Sequence, residues 1–140
     1  MSSDLSQCLK WMGDLERTLA RLDVLPRRVA EKAAPGLTKL LQRQFVQGAN
    51  PYGRKWRKLA TGAPSHLTES GRLRRGTRAA PLPGRRAGVR ILLGAPYAIY
   101  HQTGTRHMPA RKILPERGMP AAWAAVLRKA MKQAAAEALR

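Results

Sequence analysis

Three histidines, His66, His101 and His107, are the residues of this sequence best suited to bind a metal or to transfer protons. A zinc site needs three or four ligands in a tight arrangement. His101 and His107 lie six residues apart with no cysteine near them, and His66 is distant from both. We therefore expect no metal site and no other cofactor.

Nucleophilic catalysis has little support from the residues around the candidate hydroxyl groups. A serine, cysteine or threonine nucleophile needs an adjacent base, and a third group must orient that base. Ser70 does not lie in a Gly-x-Ser-x-Gly pattern, and Glu69 and Glu116 are the only acidic residues between positions 53 and 117. Catalysis by paired carboxylates lacks its groups for the same reason.

A phosphate-binding glycine loop is also absent from the sequence. Gly71 and Gly76 have the glycine spacing of such a loop, but Thr77 stands where the motif needs its lysine. No apolar strand leads into the segment. We expect a protein that is not an enzyme, and a small hydrolase that uses His101 is the alternative.

Positive charge is the main feature of the composition. The chain of 140 residues has 27 basic and eight acidic residues, a net charge of +19. Fifteen of the basic residues and only two of the acidic ones lie between positions 53 and 117. So large a charge predicts an acidic partner, and a merely solvated basic surface is the alternative. The residues that we expect to face DNA or a protein interface are Arg54, Lys55, Arg57, Lys58, Arg72, Arg74, Arg75, Arg78, Arg85, Arg86 and Arg111.

Arginine-rich loops of this kind fit two partners. They neutralise phosphates without reading bases, and they form paired hydrogen bonds with carboxylates at protein interfaces. The sequence leaves this choice open. Trp56 lies within a basic cluster, where we expect it to anchor the core; stacking on a base is the alternative.

Two helices are predicted for residues 1–48. In the first, residues 4–22, Asp4 is the expected N-cap, and an apolar stripe follows at spacings of three and four. The second begins at Leu25-Pro26 and runs to Val46, and Gly48 is expected to end it. Pro35 should kink this helix or split it in two. The stripe of the first helix consists of Leu5, Leu9, Met12, Leu15 and Leu19.

Residues 49–119 are predicted to hold long basic loops and a small antiparallel sheet. Apolar residues alternate within 88–94, which indicates a strand, and we place its partner within 73–80. Short helices are expected near 68–74, capped by Thr68, and within 95–103. Residues 81–86 read as a hairpin tip or a mobile arm.

Residues 120–140 form the most regular helical pattern, because alanine fills much of the segment behind Pro120. The chain is therefore predicted to be one α+β domain, 1–140, with N-terminal helices, a small antiparallel sheet among long basic loops, and a C-terminal amphipathic helix. Cys8 is the only cysteine, which fits a reducing compartment. We expect no signal peptide and no membrane partner, since no apolar run approaches roughly 20 residues.

The segment 97–104 has a simple physical interpretation. Tyr97, Tyr100 and His101 share one face of a short helix, with His101 packed as a core histidine whose polar atoms are satisfied. Gly104 can take a left-handed cap conformation at its end. Pro109 then stiffens the exit, from which Arg111 can reach an acidic partner.

Four short segments lie in order along the middle of the chain: Pro51-x-Gly53-x-x-Trp56, Leu67-x-x-Ser70-Gly71-x-Leu73, Tyr97-Ala98-x-x-His101-Gln102-x-Gly104, and Pro109-Ala110-Arg111. In this order they resemble segments of the phage virion morphogenesis or tail completion family of Mu-like tailed phages. The resemblance covers about residues 37–116. The family often continues the last segment with an aromatic residue and a glycine, whereas Lys112-Ile113-Leu114-Pro115 stands here.

This resemblance implies a structural protein of the virion, related to head–tail joining and tail-terminator neck proteins. Such a protein completes the tail or joins it to the head. Its relatives form rings, commonly sixfold, so the implied partners are further copies, neighbouring tail-tube or neck proteins, and the passing genomic DNA. The implied location is the tail or neck of the particle, with assembly in the host cytoplasm. The alternative is a free, non-specific nucleic-acid-binding protein that uses the basic middle segment.

Overall fold

Helix α2 forms the centre of the fold. The structure, a computed structural model, describes residues 2–67, 71–84 and 88–140. The second predicted helix corresponds to α2, and it packs against the C-terminal helix and the first strand. The elements are α1 (Ser2–Asp23), α2 (Leu25–Gln47), α3 (Arg72–Gly76), β1 (Arg78–Pro81), β2 (Val89–Leu92), α4 (Ala98–Thr103) and α5 (Ala121–Ala138). This confirms the α+β class with helices at both ends.

The core lies on one face of α2. Leu37, Leu41 and Phe45 recur at a spacing of four and are almost completely buried. Deep burial of such side chains is worth about 1.5–3 kcal/mol each, so this stripe is a major source of stability.

Pro35 does not split α2, so the split, one of the two outcomes that we expected there, is wrong. The helix continues through it from Leu25 to Gln47. A proline removes the hydrogen bond to the carbonyl four residues earlier, here that of Glu31. Both residues lie on the exposed face of the helix, where water can satisfy that carbonyl. On the inner face, Gly36 leaves room for Val126 of α5, whose Cγ1 lies 2.8 Å from where a Cβ would be.

Gly48 ends α2 as predicted. Its φ of 63° and ψ of 43° are left-handed, and backbone N–H groups at the cap donate to the carbonyls of Gln44 and Phe45. A side chain at this position would also collide with the carbonyl oxygen of Ser65, 2.5 Å from the Cβ position.

The sheet is a two-stranded antiparallel hairpin. Arg78 pairs with Leu92 and Pro81 with Val89, which confirms the predicted strand and its partner. The partner strand begins later than predicted, because residues 72–76 form α3. Thr38 of α2 accepts the Ala79 N–H at 3.0 Å and so fixes β1 against the helix. Thr68, the proposed cap, and Arg85 and Arg86 of the hairpin tip lie outside the described residues.

Helix α5 covers α2 from the other side. Trp123, Ala130 and Ala134 are buried there, and Lys32 forms a 2.7 Å ion pair with Glu137. Helix α1 differs, because its predicted apolar stripe is exposed. It begins at Ser2, so Asp4 lies inside the helix and is not its N-cap. Across the described residues, no helix has the length and apolar character needed to cross a membrane.

Candidate interaction site: a basic groove

A tight turn after α2 forms one wall of the site. The Asn50 side-chain oxygen accepts the N–H groups of Tyr52 at 3.0 Å and Arg54 at 2.9 Å. The Asn50 N–H in turn donates to the Arg54 carbonyl at 2.8 Å. Asparagine favours such turns because its short side chain replaces a backbone acceptor. The turn therefore holds the basic residues that follow it in a fixed position.

Trp56 anchors this wall to the core. It is 6% exposed and meets Phe45 edge-on, with ring centroids 5.8 Å apart. Its indole N–H donates to the Lys112 carbonyl at 2.8 Å. Its burial and these two contacts confirm the interpretation of Trp56 as a core anchor.

Arg111 has a structural position, and the prediction that it reaches outward to a partner is wrong. Only 7% of it is exposed. Its Nε donates to the Arg57 carbonyl at 2.8 Å, and its Nη2 donates to the Lys58 carbonyl at 3.1 Å. The guanidinium thereby satisfies two loop carbonyls and joins residues that are more than 50 positions apart. Arg57 and Lys58 themselves keep exposed side chains.

Gln102 fixes the second wall. Its side-chain oxygen accepts the N–H groups of Ile113 at 2.8 Å and Leu114 at 2.9 Å, while its amide nitrogen donates to the Leu114 carbonyl at 3.1 Å. The Arg111 N–H donates to the His101 carbonyl at 2.7 Å. Our sequence analysis did not single out Gln102, although it stands inside the quoted 97–104 motif.

His101 is packed, but the prediction that its polar atoms are satisfied is wrong. Its ring lies edge-on to Tyr97 at a centroid distance of 5.9 Å, and its Nδ1 is buried with no hydrogen-bond partner among the described residues. Burial, followed by the nearby positive charge of Arg111, lowers the pKa of His101 below its ordinary value. A neutral imidazole is therefore favoured. Tyr100 does not share this packing, since it is 55% exposed.

Gly104 ends α4, but not in the left-handed helical conformation that we predicted. Its φ is 75° and its ψ is 166°, a region open almost only to glycine. A Cβ there would lie 2.9 Å from the backbone nitrogen of Ala110. Gly104 thus lets the chain after α4 pass directly beside the segment that starts at Pro109, which is half-buried.

These two walls enclose a groove of about 620 Å³, which we call the basic groove. Tyr52 closes one end, because its hydroxyl accepts the Arg117 N–H at 2.8 Å and donates to the Gly118 carbonyl at 2.7 Å. Five basic residues and one acidic residue contribute to the lining: Arg54, Lys55, Arg57, Lys112, Arg117 and Glu116. Glu116 is paired with Lys112, so the remaining charge in the groove is positive.

The other predicted basic candidates that the structure describes do not line the groove. Arg74 donates from its Nε to the Gln42 side chain at 3.2 Å, which holds α3 against α2. Arg72, Arg75 and Arg78 are exposed on α3 and β1. Three of the predicted residues, Arg54, Lys55 and Arg57, therefore lie close together in the basic groove. Lys112 and Arg117, which the sequence analysis did not select, lie beside them.

Among the described ranges, no three His, Cys, Asp or Glu side chains are grouped to hold a metal ion. No protein-family model, no curated protein and no solved structure matches the chain.

Proposed function

We propose that this chain is a structural protein of a tailed-phage particle, a ring subunit that completes the tail or joins it to the head. The observation that carries the proposal is the interlocking of three of the four family-like segments. Trp56 of the first segment donates to the carbonyl of Lys112, directly after the fourth segment, and Gly104 of the third packs against Ala110 of the fourth. Arg111 bonds to the loop carbonyl beside Trp56 and to His101.

This interlocking gives the resemblance a physical basis. Each of these residues is needed because another lies against it, so they form one structural unit rather than separate coincidences of spacing. The unit is held together by hydrogen bonds between backbone and side-chain groups. That arrangement suits a protein that forms contacts during assembly.

The basic groove supplies the contact surface in this proposal. Arginine and lysine at a ring interface meet carboxylates of a neighbouring copy or tail protein, and in a ring lumen they meet the phosphates of the passing genome. The site of action is the tail or neck of the particle, after assembly in the host cytoplasm.

Particle analysis tests the proposal directly. Particles from cells that encode the chain should contain it as a stoichiometric component, located by electron microscopy at the tail end or neck. Deletion of its gene should leave heads and tails unjoined, and the wild-type gene should restore joining. Absence of the chain from purified particles, with normal joining after deletion, would overturn the proposal.

The groove also favours a second candidate function, non-specific binding of nucleic acid by the free protein. Its exposed Arg54, Lys55 and Arg57 lie together on a fixed turn, as phosphate contacts require. The logarithm of the affinity for duplex DNA should then fall linearly with the logarithm of salt concentration, by about 0.9 per phosphate contact.

Two matched variants distinguish DNA binding in the groove from attraction of DNA by the total charge of +19. Replacing Arg54, Lys55 and Arg57 with glutamine should reduce the salt slope by about three if all three contact phosphates. Replacing Arg128, Lys129 and Lys132 of α5 with glutamine makes the same change of charge outside the groove. Equal losses of slope in the two variants would exclude the groove as the binding site.

A further inference from the structure

Helix α1 exposes a nearly continuous apolar stripe. Leu5 is 65% exposed, Met12 48%, Leu15 42% and Leu19 52%, and Cys8 between them is also exposed. A contiguous apolar surface of this kind on a folded protein marks an interaction site. Helices in water also depend on the packing of an apolar face for most of their stability. The helix therefore needs a partner along this stripe.

The spacing of the stripe identifies the geometry of that partner. Leu5, Cys8, Met12, Leu15 and Leu19 follow one another at intervals of three, four, three and four. An alternation of three and four keeps one seam of a helix facing another helix, as in a two-stranded coiled coil. The partner that fits this seam is itself a helix with the same period.

The charge of α1 indicates which kind of partner can cover its apolar stripe. The helix holds four acidic and three basic residues, so it contains half of the acidic residues of a chain whose total charge is +19. An anionic membrane or a nucleic acid would select a basic helix face, which α1 lacks. A second α1 has the same period and almost no net charge, so two such helices can approach closely.

We propose that α1 pairs in antiparallel orientation with α1 of a second copy of this chain. The antiparallel orientation follows from the rest of the molecule, which carries 24 basic and four acidic residues. A 22-residue helix is about 33 Å long, several times the Debye length of about 8 Å at physiological salt. Antiparallel pairing places the two basic bodies at opposite ends of the pair, whereas parallel pairing places them side by side.

The alternating spacing of three and four defines two kinds of seam position. In an antiparallel pair, a position of one kind faces a position of the other kind on the second helix. Met12 packs on Leu15 of the second copy, and Cys8 packs on Leu19 of the second copy. Leu9 and Trp11, which are 61% and 63% exposed, flank the seam and become covered.

The pairing goes beyond the proposed ring function. A ring is built from head-to-tail contacts, whereas this contact is twofold, with the same surface on both copies. The two proposals therefore fail separately. A chain that occupies the particle but whose α1 does not pair overturns only the present inference.

Molar mass in solution tests the pairing. The wild type should have the mass of a dimer by light scattering, and the double variant Leu15→Asp/Leu19→Asp should have half that mass. The control Gln7→Asp/Ala20→Asp adds the same charge to exposed positions off the seam and should remain dimeric. The folded body should be unaffected, because no α1 residue whose burial the structure describes belongs to the buried core cluster. Equal masses for the wild type and the Leu15/Leu19 variant would overturn the pairing.

Disulfide trapping tests the orientation, since Cys8 is the only cysteine of the chain. Under mild oxidation the antiparallel pair keeps the two Cys8 thiols apart, so the wild type should remain free of covalent dimer. Leu19→Cys should give a covalent dimer in high yield. Efficient cross-linking of the wild type through Cys8 would show parallel pairing and overturn the proposed orientation.

Discussion

Helices α1 and α2 are similar in length and both carry apolar side chains at spacings of three and four, yet their stripes differ in burial. On α1, Leu5 is 65% exposed and Leu19 is 52% exposed. On α2, Leu41 and Phe45 are fully buried. Helix α2 lies between α5 and the hairpin, whereas α1 touches the rest of the molecule only slightly. The apolar period of a helix therefore predicts which face must be buried, but it does not predict which surface that face packs against.

The first test of this difference between α1 and α2 is to truncate one apolar side chain from the stripe of each helix. Phe45→Ala should lower the free energy of unfolding by about 3–5 kcal/mol, because it leaves a cavity beside Trp56. Leu15→Ala, measured in dilute protein, should stay within about 0.5 kcal/mol of the wild type. Urea denaturation gives both values. A similar loss for both variants would show that α1 is part of the core.

A second test compares two arginines of the basic middle segment. Arg111→Met should cost about 2–4 kcal/mol, because the carbonyls of Arg57 and Lys58 lose their buried donors. Arg54→Met removes the same charge from an exposed position and should change stability by less than about 0.5 kcal/mol. If both variants unfold at the same urea concentration, charge rather than burial determines the role of these arginines.

The third test compares two glycines with positive φ. Gly104→Ala should cost about 1–3 kcal/mol, because the new Cβ adds a clash with the Ala110 nitrogen to the backbone strain. Gly53→Ala, at φ 88° with no atom within 4 Å, introduces strain alone and should cost about 1 kcal/mol. Thermal unfolding of the two variants measures the difference. A larger loss at Gly53 would show that the contact between Gly104 and Ala110 contributes little.

The smallest effect concerns pH. The pKa of His101 is lowered in the folded chain, so the unfolded chain binds its proton first as the pH falls. The contribution of His101 to stability is therefore complete above its ordinary pKa of about 6.5 and declines as the pH falls below that value. His101→Gln should flatten the dependence of the urea midpoint on pH between 7 and 5. An unchanged slope in that variant would assign the pH dependence to other groups.

Local patterns predicted most of the fold. The period of α2, the alanine-rich α5, the alternation in β2 and the glycine after α2 all act over a few residues, so the sequence was enough to place them. The expected split at Pro35 does not occur, because a proline is tolerated in a helix where the carbonyl that it leaves unpaired, here that of Glu31, faces water. The local pattern of α1 also did not indicate which surface buries its apolar stripe, because that depends on distant parts of the chain.

The site was predicted less completely for the same reason. Trp56 was recognised as an anchor, but its hydrogen-bond partner lies 56 residues away at Lys112. Arg111 looked like an exposed contact residue because nothing near it in sequence indicates that it is buried. Its acceptors belong to a loop more than 50 residues earlier, and only the folded chain brings the two together.

The contact between Arg111 and the 57–58 loop also affects how the chain folds during synthesis. Residues 57 and 58 are translated early, but their carbonyls gain the Arg111 guanidinium as a donor only after residue 111 has been translated. The Trp56 indole likewise gains the Lys112 carbonyl as an acceptor only after residue 112 has been translated. Contacts between such distant residues require closure of a long loop, so they form late and slow the overall folding rate. The basic groove therefore forms only after residues 111–117 have been translated, and the nascent chain offers no ordered groove to nucleic acid before then.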